Sequence, residues 1–310
     1  MTMELRRLGT SGLLVSAIGL GGNTFGATVD GDEAVRVIQS AIDQGITFID
    51  TADVYSKGRS EELVGQALKG RRDGVVLTTK AGMAFSDSPY EQGTSRRWLT
   101  ASVERSLRRL GVDHVDLLQV HRFDPQTPPE ETIRALDDLV RSGKVRYIGN
   151  SNYEAWQIAE SQGIARHHGL SPWVSAQNRW NLIDGLSDPT LLGAADGLGF
   201  GIIPYTPLAS GLLTGKYQGT TAAPEGTRLA RMGSYDKRAT PENLARVDRL
   251  SEWARARGHT VGELAIAFLL AHRQVGSVIV GARTIEQVTH NLKAADWVLT
   301  PEERDIVATH

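Results

Sequence analysis

The chain has 310 residues, carries a formal net charge of −2 and contains no cysteine. This length suits one or two domains, or a single α/β barrel of about 250 residues with insertions. The small net charge gives no electrostatic reason to expect nucleic acid or an anionic membrane as a partner. Without cysteine there is no disulfide, no thiolate nucleophile and no cysteine-based metal site. The N-terminus lacks the apolar core of a signal peptide, and no run reaches about 18 apolar residues, so we expect a cytoplasmic protein without a membrane span. We also expect no bound metal.

Strand and helix patterns alternate along the chain after a short N-terminal hairpin, which is predicted at 4–16 around a Gly-rich turn. Short apolar runs predict eight strands, at 18–21, 46–50, 75–80, 115–120, 145–149, 173–176, 200–204 and 277–280. Helical spacing of apolar residues predicts the helices that follow them, at 32–44, 60–68, 95–110, 128–142, 153–167, 189–197, 261–273 and 284–293. Another helix, at 242–258, precedes the seventh of these, and a short one at 301–308 ends the chain. Residues 206–240 are expected to be irregular.

Eight strand–helix repeats fit two α/β architectures, a closed (β/α)8 TIM barrel and a doubly wound open sheet. The barrel is favoured because no G-x-G-x-x-G fingerprint follows the first strand and no P-loop is present. No linker divides the chain, so residues 1–310 are expected to form one domain. The loop at 206–240 is too long for an ordinary connection, and such loops are usually functional or disordered.

Four polar side chains fall at or just beyond the ends of predicted strands. Asp50 ends the second strand, and Tyr55 follows five residues later. Lys80 ends the third strand, and His121 ends the fourth. Because the carboxyl ends of barrel strands surround the active-site mouth, we expect all four side chains to face one pocket. Taken singly, each has an ordinary structural interpretation, such as a turn-forming aspartate or a solvated lysine.

Six segments of the chain occur in an order that is typical of a known family: GITFIDTADVY, LTTK, LLQVHR, IGNSNY, YTPLASGLLTGK and GARTIEQVTHN. With them the chain resembles the aldo-keto reductases from about residue 4 to about residue 295. The run Arg122-Phe123-Asp124 resembles the branch of bacterial and fungal aryl-alcohol dehydrogenase-like and channel β-subunit-like members. The resemblance implies a (β/α)8 barrel closed below by its N-terminal hairpin. It also implies reduction of an aldehyde or ketone to an alcohol by hydride from a nicotinamide.

Reduction of a carbonyl leaves an alkoxide that needs a proton, and Tyr55 is the expected general acid. A free tyrosine has a pKa of about 10, and a nearby ammonium lowers it. Lys80 is expected to supply that ammonium, with Asp50 holding it charged and in place. His121 is expected to donate a hydrogen bond to the substrate oxygen, as oxyanion-hole groups do.

Without a Gly-rich fingerprint, the cofactor residues follow from the resemblance alone. It implies Gly22, Asn23 and Asp50 near the nicotinamide, Ser151, Asn152 and Gln177 on its amide, Tyr205 stacked on its ring, Pro207, Leu208, Gly211 and Lys216 over the pyrophosphate, and Gly281, Arg283, Gln287 and Asn291 at the adenosine. Arg283 lies at the start of the predicted helix 284–293, and together with Lys216 it would bind a 2′-phosphate. NADPH is therefore the preferred cofactor and NADH the alternative. His290 and Gln287 depart from the pattern of strongly NADPH-selective relatives and weaken this preference.

The expected pocket for a small carbonyl substrate is formed by Asn23, Tyr55, Phe85, His121 and Trp180. Two other functions stay open. One is an NADPH-binding redox sensor with little turnover that acts through a protein partner, as channel β-subunits do. The other is an unrelated barrel enzyme with Lys80 as a Schiff-base lysine. The complete set of four polar residues disfavours both, while the sequence leaves the natural substrate and the oligomeric state open.

Overall fold

The computed structural model describes residues 3–220, 222–231 and 233–310. The strands are β1 Leu5–Arg7, β2 Leu14–Ser16, β3 Ile18–Gly21, β4 Phe48–Asp50, β5 Val76–Ala81, β6 Val115–Val120, β7 Val145–Ser151, β8 Trp173–Gln177, β9 Trp180–Asn181, β10 Gly185–Leu186, β11 Gly201–Ile202 and β12 Val278–Gly281. The helices are α1 Gly31–Asp43, α2 Arg59–Ala67, α3 Arg96–Leu110, α4 Pro129–Arg141, α5 Ala155–His168, α6 Leu191–Leu198, α7 Arg228–Arg231, α8 Tyr235–Arg238, α9 Pro241–Arg255, α10 Val261–Leu270, α11 Ile285–Leu292 and α12 Pro301–Thr309. Short 3₁₀ helices at Gly22–Thr24, Tyr55–Gly58 and Ala209–Thr214 follow β3, β4 and β11.

Eight strands form one parallel sheet in the order β11-β8-β7-β6-β5-β4-β3-β12. Two parallel bridges, Ile202 to Val275 and Tyr205 to Ile279, join the two ends of this sheet. The sheet therefore curls into a closed barrel, and neighbouring helices pack against one another around it. This confirms the predicted (β/α)8 architecture, whereas the assignment of residues 1–310 to one domain stays a prediction.

The N-terminal hairpin covers the amino-terminal end of the barrel. Its strands β1 and β2 pair antiparallel, and Leu8 between them is fully buried in an apolar cluster with Phe48 and Leu117. Gly9 has a φ of +60°, and a Cβ there would lie 2.2 Å from the carbonyl oxygen of Gly199, so this turn requires glycine. With this end covered, the carboxyl ends of the strands form the accessible mouth.

The predicted helices are found with boundaries shifted by a few residues. For α3, Ser95 caps the N-terminus by accepting a hydrogen bond from the Trp98 N–H, and Gly111 ends the helix at a φ of +65°. Helix α2 begins after Gly58, which holds the N-cap position at a φ of +90°. Ser60 lies inside α2, and its buried hydroxyl bonds the carbonyl oxygen of Gly22 and the hydroxyl of Thr51, both at 2.8 Å. The helix is thereby tied to the loops that follow β3 and β4.

The segment 206–240, which is expected to be irregular, contains a 3₁₀ helix and the short helices α7 and α8. The β9–β10 hairpin beyond β8 is not predicted from the sequence, since each of its strands has only two residues. Both features lie beyond the carboxyl ends of strands, where they shape the mouth. Across the described ranges, no helix combines the length and the apolar character that crossing a membrane requires.

Candidate active site

Lys80 is the centre of a buried polar group at the mouth of the barrel. It is fully buried in β5, and its Nζ donates to both carboxylate oxygens of Asp50 at 2.7 Å and to the carbonyl oxygen of Thr51 at 2.9 Å. The hydroxyl of Tyr55 lies 3.4 Å from the same nitrogen. Burial acts to lower the pKa of Lys80, but attraction to Asp50 and Tyr55 outweighs it and leaves the pKa raised. Lys80 is therefore a positive charge beside the tyrosine hydroxyl.

Two glutamine side chains, one from β6 and one from β8, fix the carboxylate of Asp50 from across the barrel. Gln177 Nε2 donates to Asp50 Oδ1 at 3.0 Å, and Gln119 Nε2 donates to the same oxygen at 3.3 Å. Sequence reasoning identified Gln177 but missed Gln119. Gln119 could have been identified from the sequence. Leu117, Gln119 and His121 are two residues apart along β6, and this spacing points their side chains to the same side of the sheet.

The pKa of Tyr55 shifts in the direction opposite to the sequence-based expectation. Burial raises the pKa of Tyr55 above its ordinary value of 10.0, and the charge of Lys80 lowers it by less. The phenol is therefore protonated across the neutral range, as a proton donor must be. The charge of Lys80 nevertheless stabilises the phenolate, and so it lowers the free energy of the state in which the proton has been transferred.

His121 lies at the end of β6 beside the tyrosine. The two ring centroids are 5.8 Å apart in an edge-to-face arrangement. Burial, assisted by the positive charges of Lys80 and Arg122, lowers the pKa of His121 from 6.5 to about 3. The imidazole is therefore neutral near pH 7, and a neutral imidazole offers one N–H as a hydrogen-bond donor.

Asn152 links the histidine to the opposite wall of the mouth. Its Nδ2 donates to the carbonyl oxygen of His121 at 3.0 Å, and its Oδ1 accepts from the hydroxyl of Tyr205 at 2.7 Å. Asn152 has a φ of +58°, a left-handed conformation that costs an ordinary residue about 1 kcal/mol or more. Ser151 next to it donates from its hydroxyl to the carbonyl oxygen of Gln177 at 2.8 Å. Four of the predicted cofactor residues are thus joined in one network.

A cavity of about 670 Å³ extends from this polar group to α11. All fifteen residues that the sequence analysis assigns to the cofactor line it. They are Gly22, Asn23, Asp50, Ser151, Asn152, Gln177, Tyr205, Pro207, Leu208, Gly211, Lys216, Gly281, Arg283, Gln287 and Asn291. Tyr55 and His121 line the same cavity, and Lys80 lies behind its wall.

Several further lining residues escaped sequence reasoning, namely Thr24, Arg122, Thr206, Ser210, Thr214, Arg231, Gly262, Ile279 and Glu286. Most lie on loops, where no periodicity shows which way a side chain points. Thr206 and Ser210 also have positive φ values, +57° and +60°, so the chain beyond β11 is held in an uncommon conformation at the cavity wall.

Phe85 and Trp180, two residues of the expected substrate pocket, lie away from the cavity wall. Phe85 packs beside Trp98, with ring centroids 6.4 Å apart. Trp180 is buried, and its ring contacts His272 and Phe268 at centroid distances of 4.5 and 6.3 Å. Phe268 belongs to α10, so Trp180 is turned towards the outer helices. Neither side chain lines the described cavity, and their place in a substrate pocket stays a prediction.

The model of the Aldo/keto reductase family matches residues 17–310. The chain belongs to the aldo/keto reductase family. This agrees with the observed barrel and with the predicted family. Members of this family use nicotinamide cofactors, typically NADPH.

Curated relatives of this aldo/keto reductase match it along nearly its whole length. L-glyceraldehyde 3-phosphate reductase of Escherichia coli O157:H7 is 36% identical over 94% of this chain and 87% of its own. Versiconal hemiacetal acetate reductase of Aspergillus parasiticus is 35% identical over 97% and 95%. A probable voltage-gated potassium channel subunit beta of Arabidopsis thaliana is 37% identical over 96% and 94%. The family and the two reductases together support an oxidoreductase.

The cavity suits a nicotinamide dinucleotide in shape and charge. Backbone without side chains borders it at Gly211 and Gly281, and a Cβ on Gly211 would lie 2.9 Å from Lys216 Nζ. Lys216, Arg231 and Arg283 supply positive charge on the walls formed by the 206–240 segment and the approach to α11. The N-terminus of α11 adds the positive end of a helix, which favours phosphate. Polar groups that suit an amide lie at the opposite end, around Asn152.

Proposed function

We propose that this aldo/keto reductase reduces an aldehyde or ketone to an alcohol with NADPH, as an alcohol dehydrogenase that uses NADP. The observation that carries the proposal is the fully buried Lys80, which is paired with Asp50 and lies 3.4 Å from the hydroxyl of Tyr55. The positive charge of Lys80 stabilises the phenolate that Tyr55 leaves when it gives up its proton, although burial keeps the pKa of Tyr55 raised. That is the property a general acid needs.

The bound nicotinamide would supply a hydride to the carbonyl carbon, whose π electrons then move to the oxygen. Tyr55 would donate its proton to that oxygen, and Lys80 would stabilise the phenolate that remains. The neutral His121 would donate a hydrogen bond to the same oxygen as its charge grows. Asp50, fixed by its two glutamine partners, would keep the ammonium in place.

Ser151, Asn152 and Gln177 would hold the nicotinamide amide, and Tyr205 would lie against the ring. The hydrogen bond from Tyr205 to Asn152 supports this placement, because it joins the side chain proposed to lie against the nicotinamide ring to one proposed to bind the nicotinamide amide. Lys216 and Arg283 would bind the phosphates, which favours NADPH over NADH. The cytoplasmic location remains part of this proposal.

The relatives named as channel β-subunits support a second candidate, an NADPH-binding redox sensor with little turnover. A Schiff-base role for Lys80 is disfavoured, because its Nζ is fully buried, raised in pKa and already bound by Asp50 and Thr51. Only an unprotonated amine attacks a carbonyl. Turnover separates the two remaining candidates.

The first test is a titration with NADPH and NADH followed by tryptophan fluorescence, then addition of aromatic and aliphatic aldehydes with absorbance read near 340 nm. Tight binding with aldehyde-dependent oxidation is expected, and binding without turnover on any aldehyde would favour the sensor. The Tyr55→Phe variant should lose about 10²-fold or more in kcat while its cofactor affinity stays unchanged. Near-normal turnover in that variant would refute the assignment of Tyr55.

A further inference from the structure

The cavity wall is more positive than the chain as a whole, which has a net charge of −2. Arg122, Lys216, Arg231 and Arg283 line it, against the carboxylates of Glu286 and of Asp50. The Asp50 carboxylate is already paired with Lys80. A concave site with this excess of one sign attracts ligands of the opposite sign.

The positive groups fall into two regions of the cavity. Lys216, Arg231 and Arg283 lie on the 206–240 segment and at the approach to α11, where the proposed cofactor would place its phosphates. Arg122 directly follows His121 at the end of β6, on the side of the proton donor. The phosphates of the cofactor therefore account for the first region and leave Arg122 unexplained.

The guanidinium of Arg122 is available to a ligand. Within the described ranges of the chain, its side chain makes no hydrogen bond and no ion pair. Burial lowers the pKa of His121 and raises that of Tyr205; the charge of Arg122 adds to the first effect and opposes the second, so it acts on the two walls of the mouth. Arg122 is itself exposed, but it lies in the wall of the cavity that holds Tyr55 rather than on a convex surface.

We propose that Arg122 binds an anionic group of the substrate, a carboxylate or a phosphate, and so selects aldehydes that carry a negative charge. The inference rests on the proposed reductase function and names the substrate class for that site. Guanidinium binds carboxylate and phosphate through two parallel hydrogen bonds, which gives orientation as well as affinity.

The position of Arg122 also limits the size of such a substrate. Consecutive Cα atoms are about 3.8 Å apart, so Arg122 and His121 start from nearly the same point of the wall. With the carbonyl oxygen held by His121 and Tyr55, the anionic group would lie within one side-chain length of it. Compact aldehydes with the charge a few bonds from the carbonyl fit this arrangement.

The test compares matched pairs of aldehydes that differ by a charge, with the complete protein and NADPH. One pair is 4-carboxybenzaldehyde and its methyl ester, and the other is glycolaldehyde phosphate and glycolaldehyde. For Arg122→Gln we expect kcat/KM to fall about tenfold on the charged member of at least one pair and less than about twofold on both neutral members. Arg122→Lys should restore part of the loss, and the pair that responds tells carboxylate from phosphate. Arg166→Gln, which removes an exposed charge from the last turn of α5, is the matched control and should change neither pair.

The outcomes separate this inference from the reductase proposal. Turnover of the neutral aldehydes, with no charged aldehyde depending on Arg122, would overturn the inference and leave the reductase intact. An equal loss on charged and neutral members would assign Arg122 a structural role and also overturn it. If the wild type reduces none of the four aldehydes, the reductase proposal fails, and this inference fails with it.

Discussion

Asp53, two residues before the proposed acid, is a fully buried carboxyl that forms no ion pair with the described residues. Its Oδ2 accepts a hydrogen bond from the Ser102 hydroxyl at 2.8 Å, and its Oδ1 has no partner within the described ranges. Burial raises the pKa of Asp53 from 3.8 to about 7, the hydrogen bond from Ser102 opposes the rise, and the charge of Glu61 adds to it. The folded protein therefore holds a proton on this group that the unfolded chain has already lost at pH 6.

We expect Asp53→Asn to be more stable than the wild type at pH 8 and close to it near pH 4. A carboxyl whose pKa is raised on folding contributes stability that is complete below about 3.8 and lost as the pH rises through about 7. A shift of this size corresponds to about 4 kcal/mol. The asparagine amide cannot ionise and keeps an acceptor for Ser102, so it should recover about 2–4 kcal/mol at pH 8.

The measurement is urea unfolding between pH 4 and pH 8, followed by the fluorescence of the six tryptophans. Asp73→Asn, at an exposed aspartate in the turn before β5, is the control. Its free energy of unfolding should differ from that of the wild type by the same amount at every pH. An Asp53→Asn variant that is no more stable than the wild type at pH 8 would refute the reasoning. It would mean that the carboxyl finds a partner for Oδ1 and stays ionised.

Two further predictions concern the charged groups of the mouth. Lys80→Met should lower the free energy of unfolding in urea by about 3–5 kcal/mol, because the Asp50 carboxylate is left buried without its cation. The double variant Lys80→Met/Asp50→Asn should recover most of that loss. Strictly additive effects of the two single substitutions would contradict the pairing. Because burial and nearby positive charges lower the pKa of His121 to about 3, its neutral side chain contributes stability above about pH 6.5 that is lost as the pH falls towards 3. His121→Gln should therefore gain about 1–3 kcal/mol relative to the wild type between pH 7 and pH 4, and a constant difference would show that the imidazole titrates normally.

The barrel and the polar group at its mouth could be predicted from the sequence because both follow from strand periodicity. Asp50, Lys80 and His121 end parallel strands, and parallel strands end on one face. The structure joins Lys80 to Asp50 through contacts of 2.7 Å, and His121 lies beside Tyr55 at the same mouth. Where a side chain follows a strand directly, spacing in the sequence was enough to place it.

Loop side chains and pKa values could not be predicted in the same way. Trp180 lies in a two-residue strand beyond β8, and its orientation depends on contact with Phe268, which is far away in the sequence. Phe85 likewise packs on Trp98 of α3. For Tyr55, the presence of Lys80 was foreseen, but the loss of solvent around the hydroxyl was not, and burial has the larger effect. Each of these depends on packing between elements that the local pattern does not encode.

The turn that carries Tyr55 shows how such packing supports the chemistry. Within Tyr55–Gly58, Ser56 and Lys57 have φ values of +50° and +55°, which cost about 1 kcal/mol or more each for residues other than glycine. A Cβ on the closing glycine would lie 2.6 Å from Cδ of Arg109, so the turn rests directly on that side chain. Arg109 in turn donates from Nε to the fully buried Glu61 at 2.6 Å. A strained turn persists only where its surroundings fix it, and here a buried ion pair between α2 and α3 does so. The position of the proposed proton donor therefore depends on charges behind the barrel wall as much as on those in the cavity.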